Sequence, residues 1–111
     1  MRREILKGNP FFLSDEDIAW VQSTLGGMTE KEKVGQLFFL VGYTNDSAYL
    51  DHISRDLQVG GMMCRTMGAA DVIDAVTRLQ ENSKIPMLIS ANLEAGGNGI
   101  VKEGTKIGAQ M

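Results

Sequence analysis

The sequence predicts an α/β fold built on a parallel sheet. Three short apolar segments, residues 36–42, 59–64 and 85–91, alternate with helical patterns, and the links between them are short. Strands and helices that alternate in this way form parallel sheets with right-handed crossovers. Over three such units, periodicity does not separate a doubly wound sheet from a (β/α)8 barrel of the TIM type. The pattern ends after three strands, whereas a barrel needs about 250 residues, so we expect a fragment: the N-terminal portion of a barrel with flanking helices.

Two helices are predicted before the first strand. Ser14 precedes three acidic residues, 15–17, and acidic side chains in a first turn face the positive end of the helix dipole. This helix should end at the glycine pair 26–27. Thr29 and Glu32 then have the capping-box spacing, in which each side chain accepts a hydrogen bond from the other's backbone amide. A second, short helix should therefore lead into the first strand.

Two further helices are predicted between the strands. Asn45 or Asp46 can cap a third helix that runs to about Leu57. Residues 69–71 open a fourth helix, which should end at residues 82–83. Four residues of this fourth helix form a predicted apolar stripe: Val72, Ile73, Val76 and Leu79.

The strand segments predict a buried sheet. Residues 36–42 form a nearly continuous apolar run, which is typical of a strand buried on both faces, and residues 85–91 predict a third buried strand. In the second segment, Gly60 and Gly61 carry no side chain, which suits the close approach of another backbone or of a ligand.

Composition and charge exclude several classes of protein. The apolar fraction of 43% and the charged fraction of 23% are those of a globular domain, and a length of 111 residues is near the commonest domain size, so we expect a single unit over residues 1–111. A net charge of −3 with dispersed basic residues argues against nucleic-acid binding. Cys64 is the sole cysteine, so the chain has no internal disulfide and no paired-cysteine zinc site. No export signal is readable, and the longest apolar run is far shorter than the roughly 20 residues that cross a bilayer. We therefore expect a cytoplasmic protein that does not bind membranes.

Three stretches of the sequence resemble one family of enzymes. The segments MTEKEKVGQLF (28–38), VGGMMCR (59–65) and IPMLISANLEAGG (85–97) are similar, in order and spacing, to the N-terminal region of glycoside hydrolase family 3. The resemblance covers roughly residues 28–111 and is to the β-N-acetylhexosaminidase and β-glucosidase members. It implies a barrel domain and a glycosidase of carbohydrate metabolism that hydrolyses O-glycosyl bonds of β-linked sugars. It implies neither a metal nor an organic cofactor.

The resemblance also implies substrate-binding residues. In the family, an aspartate at the end of the third strand binds sugar hydroxyls, and Asn92 occupies the matching position here. An amide can both donate to and accept from a hydroxyl, although it lacks the charge. Ala95 is an extra residue before the glycine pair, and an arginine that many family members carry several residues beyond that pair is absent from residues 98–102.

Glu94 and Arg65 are the other candidate substrate-binding residues, because they follow the ends of the third and second strands, where barrel enzymes place their working groups. Each candidate also has a purely structural interpretation. Asn92 could cap the following turn, Glu94 could accept backbone N–H bonds from its loop, and Arg65 could pair with a loop carboxylate.

The resemblance places the nucleophile and the acid/base of glycoside hydrolysis beyond residue 111, so it implies no catalytic residue here and an inactive chain. The full-length protein would bind the carbohydrate substrate. The alternative is a non-catalytic α/β binding or assembly module that uses residues 96–99 for recognition. Because three strands cut from a barrel leave unpaired edges, we expect the chain alone to form a homo-oligomer.

Overall fold

The computed structural model describes residues 3–108, and its contacts group the chain into two compact units, residues 1–33 and 34–111. Residues 1–2 and 109–111, the two ends of the predicted single unit, lie outside the described part. The single unit over residues 1–111 stays a prediction.

The first unit contains a short helix that the sequence pattern did not predict, α1 (Arg3–Lys7), followed by α2 (Asp15–Gly26). Ser14 caps α2 as expected: its hydroxyl accepts from the Asp17 amide at 3.1 Å, and the Asp17 carboxylate accepts from the Ser14 amide at 3.1 Å. The predicted start and end of this helix are confirmed.

The capping box before the next helix, α3 (Glu30–Gly35), is also confirmed. The Thr29 amide donates to the Glu32 carboxylate at 2.6 Å, and the Glu32 amide donates to the Thr29 hydroxyl at 3.2 Å. Two amides at the helix start, which have no partner within the helix, are thereby satisfied.

The second unit is built on a three-stranded parallel sheet in the order β1-β2-β3, with β1 (Phe39–Gly42), β2 (Gly61–Cys64) and β3 (Leu88–Ala91). The register aligns Phe39 with Gly61 and Gly61 with Leu88. A parallel sheet with helices in the connections confirms the predicted α/β fold class.

All three strands start later than predicted, and before β1 and β3 other hydrogen bonds occupy the backbone. The amides of Leu37 and Phe38 donate to Val34 and Gly35 and continue the turn of α3. Before β3, the side-chain amide of Gln80 accepts from the Met87 amide at 3.0 Å and donates to the Met87 carbonyl at 2.8 Å. Backbone groups bound in this way cannot pair with a neighbouring strand.

Two helical segments cover one face of the sheet. The helix α4 (Ser47–Asp51) continues as a wider π-helical turn (His52–Asp56), and α5 (Ala69–Asn82) follows β2. Asp46 caps α4 by accepting from the Tyr49 amide at 2.8 Å, as predicted. The predicted bounds of α5 are also confirmed. The buried core of this unit comprises Leu50, Ile53, Val59, Met62, Cys64, Met67, Val72, Ala75, Leu79 and Met87.

The predicted burial of the sheet on both faces is wrong. Phe39, Val41 and Leu88 remain 48%, 47% and 69% exposed, and the helices α4 and α5 pack on the opposite face. On α5, Ile73 is 65% exposed rather than part of the buried stripe, and Ala75 is buried instead. Among the described residues, no helix is long and apolar enough to cross a membrane.

Candidate functional site

The three residues predicted to bind substrate lie around one cavity. The strands β2 and β3 are parallel neighbours, so the residues that follow them, Arg65 and Asn92, emerge at the same edge of the sheet. This edge, at the carboxyl ends of the strands, is where parallel α/β folds place their sites. A cavity of about 210 Å³ opens there, lined by Arg65, Thr66, Asn92, Glu94, Ala95, Asn98 and Gly99.

The loop after β3 closes the cavity because of its glycines. Gly96 has a φ of +113°, a conformation that side chains disfavour, and a 3-10 turn (Gly97–Gly99) follows. At Gly99, a Cβ atom would overlap the carbonyl oxygen of Asn92. The absence of side chains thus lets the loop fold back against the end of β3.

Hydrogen bonds from the end of β2 hold this loop in place. The Thr66 hydroxyl lies 3.1 Å from the Asn98 carbonyl and 3.0 Å from the Gly99 carbonyl, and it donates to this pair. The Met67 amide donates to the Ile100 carbonyl at 3.1 Å, and the Met67 carbonyl accepts from the Lys102 amide at 2.8 Å. The two sides of the cavity are therefore connected by both side-chain and backbone bonds.

The side chain of Asn92 caps a turn through its oxygen, while its nitrogen remains available as a hydrogen-bond donor. Its side-chain oxygen accepts from the Glu94 amide at 3.3 Å, which is the turn-capping interaction considered from the sequence. Its side-chain nitrogen donates to no group in residues 3–108. Because Asn92 also lines the cavity, this N–H is placed to bind a ligand.

Arg65 and Glu94 do not form the structural contacts considered for them. Within residues 3–108, Arg65 pairs with no carboxylate, and its guanidinium instead lies 5.8 Å from the centroid of the Tyr43 ring. The Glu94 carboxylate is exposed and accepts no backbone N–H from the described part of the loop. The Arg65 guanidinium and the Glu94 carboxylate therefore line the cavity without a hydrogen-bond partner in the described part of the chain.

Thr66 is a cavity residue that sequence reasoning missed, and Asn98 was included only in the loop 96–99 of the binding-module alternative. The side-chain oxygen of Asn98 is buried and has no hydrogen-bond donor among the described residues. An unsatisfied buried acceptor costs roughly 1–3 kcal/mol, and native structures contain few of them. The available signal was positional: Thr66 directly follows Arg65, and Asn98 directly follows the glycine pair.

The single cysteine and the single histidine lie outside this cavity. Cys64 is buried, and this burial raises the pKa of its thiol. His52 is exposed, and its Nδ1 lies 2.8 Å from the Asp56 carboxylate. In the part of the chain that the structure describes, no three metal-ligating side chains come together.

Comparisons with known proteins connect this geometry to a family. No protein-family profile matches the chain. A Cellulomonas fimi protein named beta-N-acetylglucosaminidase/beta-glucosidase is 52% identical over 106 residues, which are 96% of this chain and 19% of that protein. The solved structure of the beta-glucoside phosphorylase BglX bound to 2FGlc matches 96% of this chain and 20% of its own, with a TM-score of 0.82 and 35% identity. A second BglX structure covers 96% and 19%, with a TM-score of 0.79 and 37% identity.

The chain resembles the N-terminal part of glycoside hydrolase family 3 in both sequence and fold. Identity of 52% along nearly the whole chain, together with the matching fold, confirms the resemblance found in the sequence. The chain spans about one fifth of the length of these relatives and corresponds to the N-terminal part of a larger family 3 domain. The closed barrel stays a prediction, since the described strands number three.

Proposed function

We propose that the protein containing this chain is a glycosidase that cleaves β-linked glucosides or N-acetylglucosaminides. The observation that carries this proposal is the cavity at the carboxyl edge of the sheet, where Arg65, Asn92 and Glu94 converge. The relative named as a beta-N-acetylglucosaminidase/beta-glucosidase supports the substrate class. Binding a sugar requires several polar groups around one small volume, because each hydroxyl both donates and accepts.

The described residues supply binding and orientation in this proposal. The Asn92 side-chain nitrogen donates to a sugar hydroxyl, the Glu94 carboxylate accepts from one, and the Arg65 guanidinium donates to another. Cleavage with retention also needs a nucleophile and an acid/base on the two sides of the glycosidic bond. We assign neither role to a residue of this chain. Other parts of the full-length protein would contribute them.

The acceptor of the cleaved sugar distinguishes two chemistries. The named relative is a glycosidase by its name, whereas the two matched structures are of a phosphorylase. A hydrolase transfers the sugar to water, and a phosphorylase transfers it to inorganic phosphate. We propose transfer to water, and a phosphate requirement would contradict this.

A substrate panel tests the proposal. Nitrophenyl β-glucoside and β-N-acetylglucosaminide are incubated, with and without phosphate, with the 111-residue chain and with the product of the complete reading frame. We expect nitrophenol release by the complete product without phosphate, and none by the 111-residue chain. Asn92→Ala should lower kcat/KM, and the matched control is Gln22→Ala, which removes an exposed amide from α2. The absence of release from every substrate would exclude the glycosidase proposal.

The exposed face of the sheet favours a second candidate function, an assembly module without catalysis. Phe39, Val41 and Leu88 present apolar side chains to water, and such surfaces promote association. We propose that the 111-residue chain by itself forms a homo-oligomer through this face. Light scattering at tens of micromolar should show an oligomer, and Leu88→Ser should shift it toward the monomer. A stable monomer would contradict this proposal.

The cytoplasmic location also stays a prediction, to be checked by cell fractionation.

A further inference from the structure

The glycine-rich turn offers only one side chain for recognition. Among residues 96–99, three are glycine, and Asn98 alone carries a side chain. This turn forms part of the wall of the 210 Å³ cavity, and Asn98 lines that cavity. Any contact that the turn makes to a ligand through a side chain must therefore come from Asn98.

The backbone of Asn98 is fixed in position. Its carbonyl oxygen lies 3.1 Å from the Thr66 hydroxyl, and the next carbonyl, that of Gly99, lies 3.0 Å from the same hydroxyl. Gly99 in turn packs directly against the carbonyl oxygen of Asn92. A side chain attached to so constrained a backbone is held in place before a ligand arrives, which lowers the entropy cost of binding.

The side chain of Asn98 lacks the hydrogen-bond donor that its burial requires. Its oxygen is buried without a partner in residues 3–108. Asn98 lines the cavity, which brings this side chain within reach of a ligand bound there. A ligand hydroxyl in the cavity would then supply the missing donor, and its own oxygen could accept from the free N–H of Asn92.

We propose that Asn98 is a specificity-determining residue that accepts a hydrogen bond from one hydroxyl of the bound sugar, and that Thr66 is its positioning residue. This inference rests on the proposed glycosidase function. It extends the site from the ends of β2 and β3 to the glycine-rich turn. The turn then recognises one hydroxyl of the sugar through Asn98.

The test uses the product of the complete reading frame with nitrophenyl β-glucoside and its monodeoxy analogues. Asn98→Ala should lower kcat/KM for the parent glycoside by about 10- to 100-fold, the range of one lost hydrogen bond. For the analogue that lacks the contacted hydroxyl, the variant and the unmodified protein should have equal kcat/KM. Asn98→Asp keeps the acceptor oxygen and should retain the discrimination between these two substrates.

Thr66 is tested by a matched pair of variants. Thr66→Val keeps the shape but removes the hydroxyl, and it should weaken the discrimination between the parent and the deoxy analogue. Thr66→Ser keeps the hydroxyl and should therefore keep the discrimination between these two substrates. Gln22→Ala again serves as the control for an amide removed elsewhere.

The outcomes separate the two proposals. If Asn98→Ala lowers kcat/KM equally for every analogue, or leaves it unchanged, the assignment of Asn98 is overturned while the glycosidase function stands. If the unmodified protein cleaves none of the glycosides, the proposed function fails, and the inference about Asn98 fails with it.

Discussion

The two faces of the sheet carry similar apolar side chains but have different surroundings. On one face, Leu40, Met62 and Ile89 pack with the helices into the core. On the opposite face, Phe39 and Leu88 are about half and two-thirds exposed (48% and 69%). Successive residues of a strand point to opposite faces, so the difference comes from what covers each face and not from the strands themselves.

The contrast between the two faces indicates that these strands are suited to a sheet covered on both sides. Strands with apolar residues on both faces are typical of sheets that are covered on both sides. In a (β/α)8 barrel, helices cover the outer face, and side chains from the other strands fill the interior. We therefore expect the face of Phe39 and Leu88 to become the barrel interior in the full-length protein.

The largest expected loss of stability follows from a substitution on the covered face. Leu79 on α5 is 1% exposed, and Leu79→Ala leaves a cavity in the core. We expect a loss of about 2–5 kcal/mol in the free energy of unfolding, measured by urea denaturation of the 111-residue chain. Ile73→Ala on the same helix is the matched control, because Ile73 is 65% exposed. Similar losses from both substitutions would show that α5 does not pack as described.

The sequence predicted local structure well because the signals are local. The capping residues Ser14, Thr29 and Asp46 each bind a backbone amide three residues away, so their spacing is sufficient evidence. The exposed face was not predictable in this way. An apolar strand residue such as Leu88 has the same pattern whether or not another element covers it.

The site was predicted in part for a similar reason. Arg65 and Asn92 follow neighbouring parallel strands, so topology alone brings them to one edge. Thr66 was missed, and Asn98 was not assigned to the substrate site, because their contact joins a hydroxyl to a backbone carbonyl 32 residues further along the chain. The sequence carries no periodic signal for such a bond, which depends on how the glycine-rich loop folds back.

A smaller effect is expected on the exposed face. Leu88→Ala removes a side chain that already faces water, so the 111-residue chain should lose less than about 1 kcal/mol. In the product of the complete reading frame, a closed barrel would bury Leu88, and the same substitution should cost about 2–5 kcal/mol. Urea denaturation of both proteins measures the difference. Equal small losses in the two proteins would contradict burial of this face in a barrel.

The smallest expected effect lies at the outer edge of the covered face, where α4 meets α5. The Arg78 guanidinium donates to both oxygens of Asp51 at 2.6 and 2.8 Å, and Asn82 donates to one of them at 2.8 Å. The hydrogen bond from Arg78 is the main cause of a lowered pKa at Asp51, and the charge of Arg55 adds to it. Water and salt reach this group, which limits its contribution to stability.

The lowered pKa of Asp51 determines the direction in which the stability of the fold changes with pH. The folded chain favours the Asp51 carboxylate, so the unfolded chain binds more protons as the pH falls through the ordinary range of aspartate. The contribution of Asp51 is therefore present above that range and is lost as the pH falls through the folded pKa. We expect Tm to fall more steeply with acidification in the unmodified chain than in Asp51→Asn. Parallel curves for the two proteins would show that this ion pair does not stabilise the contact between α4 and α5.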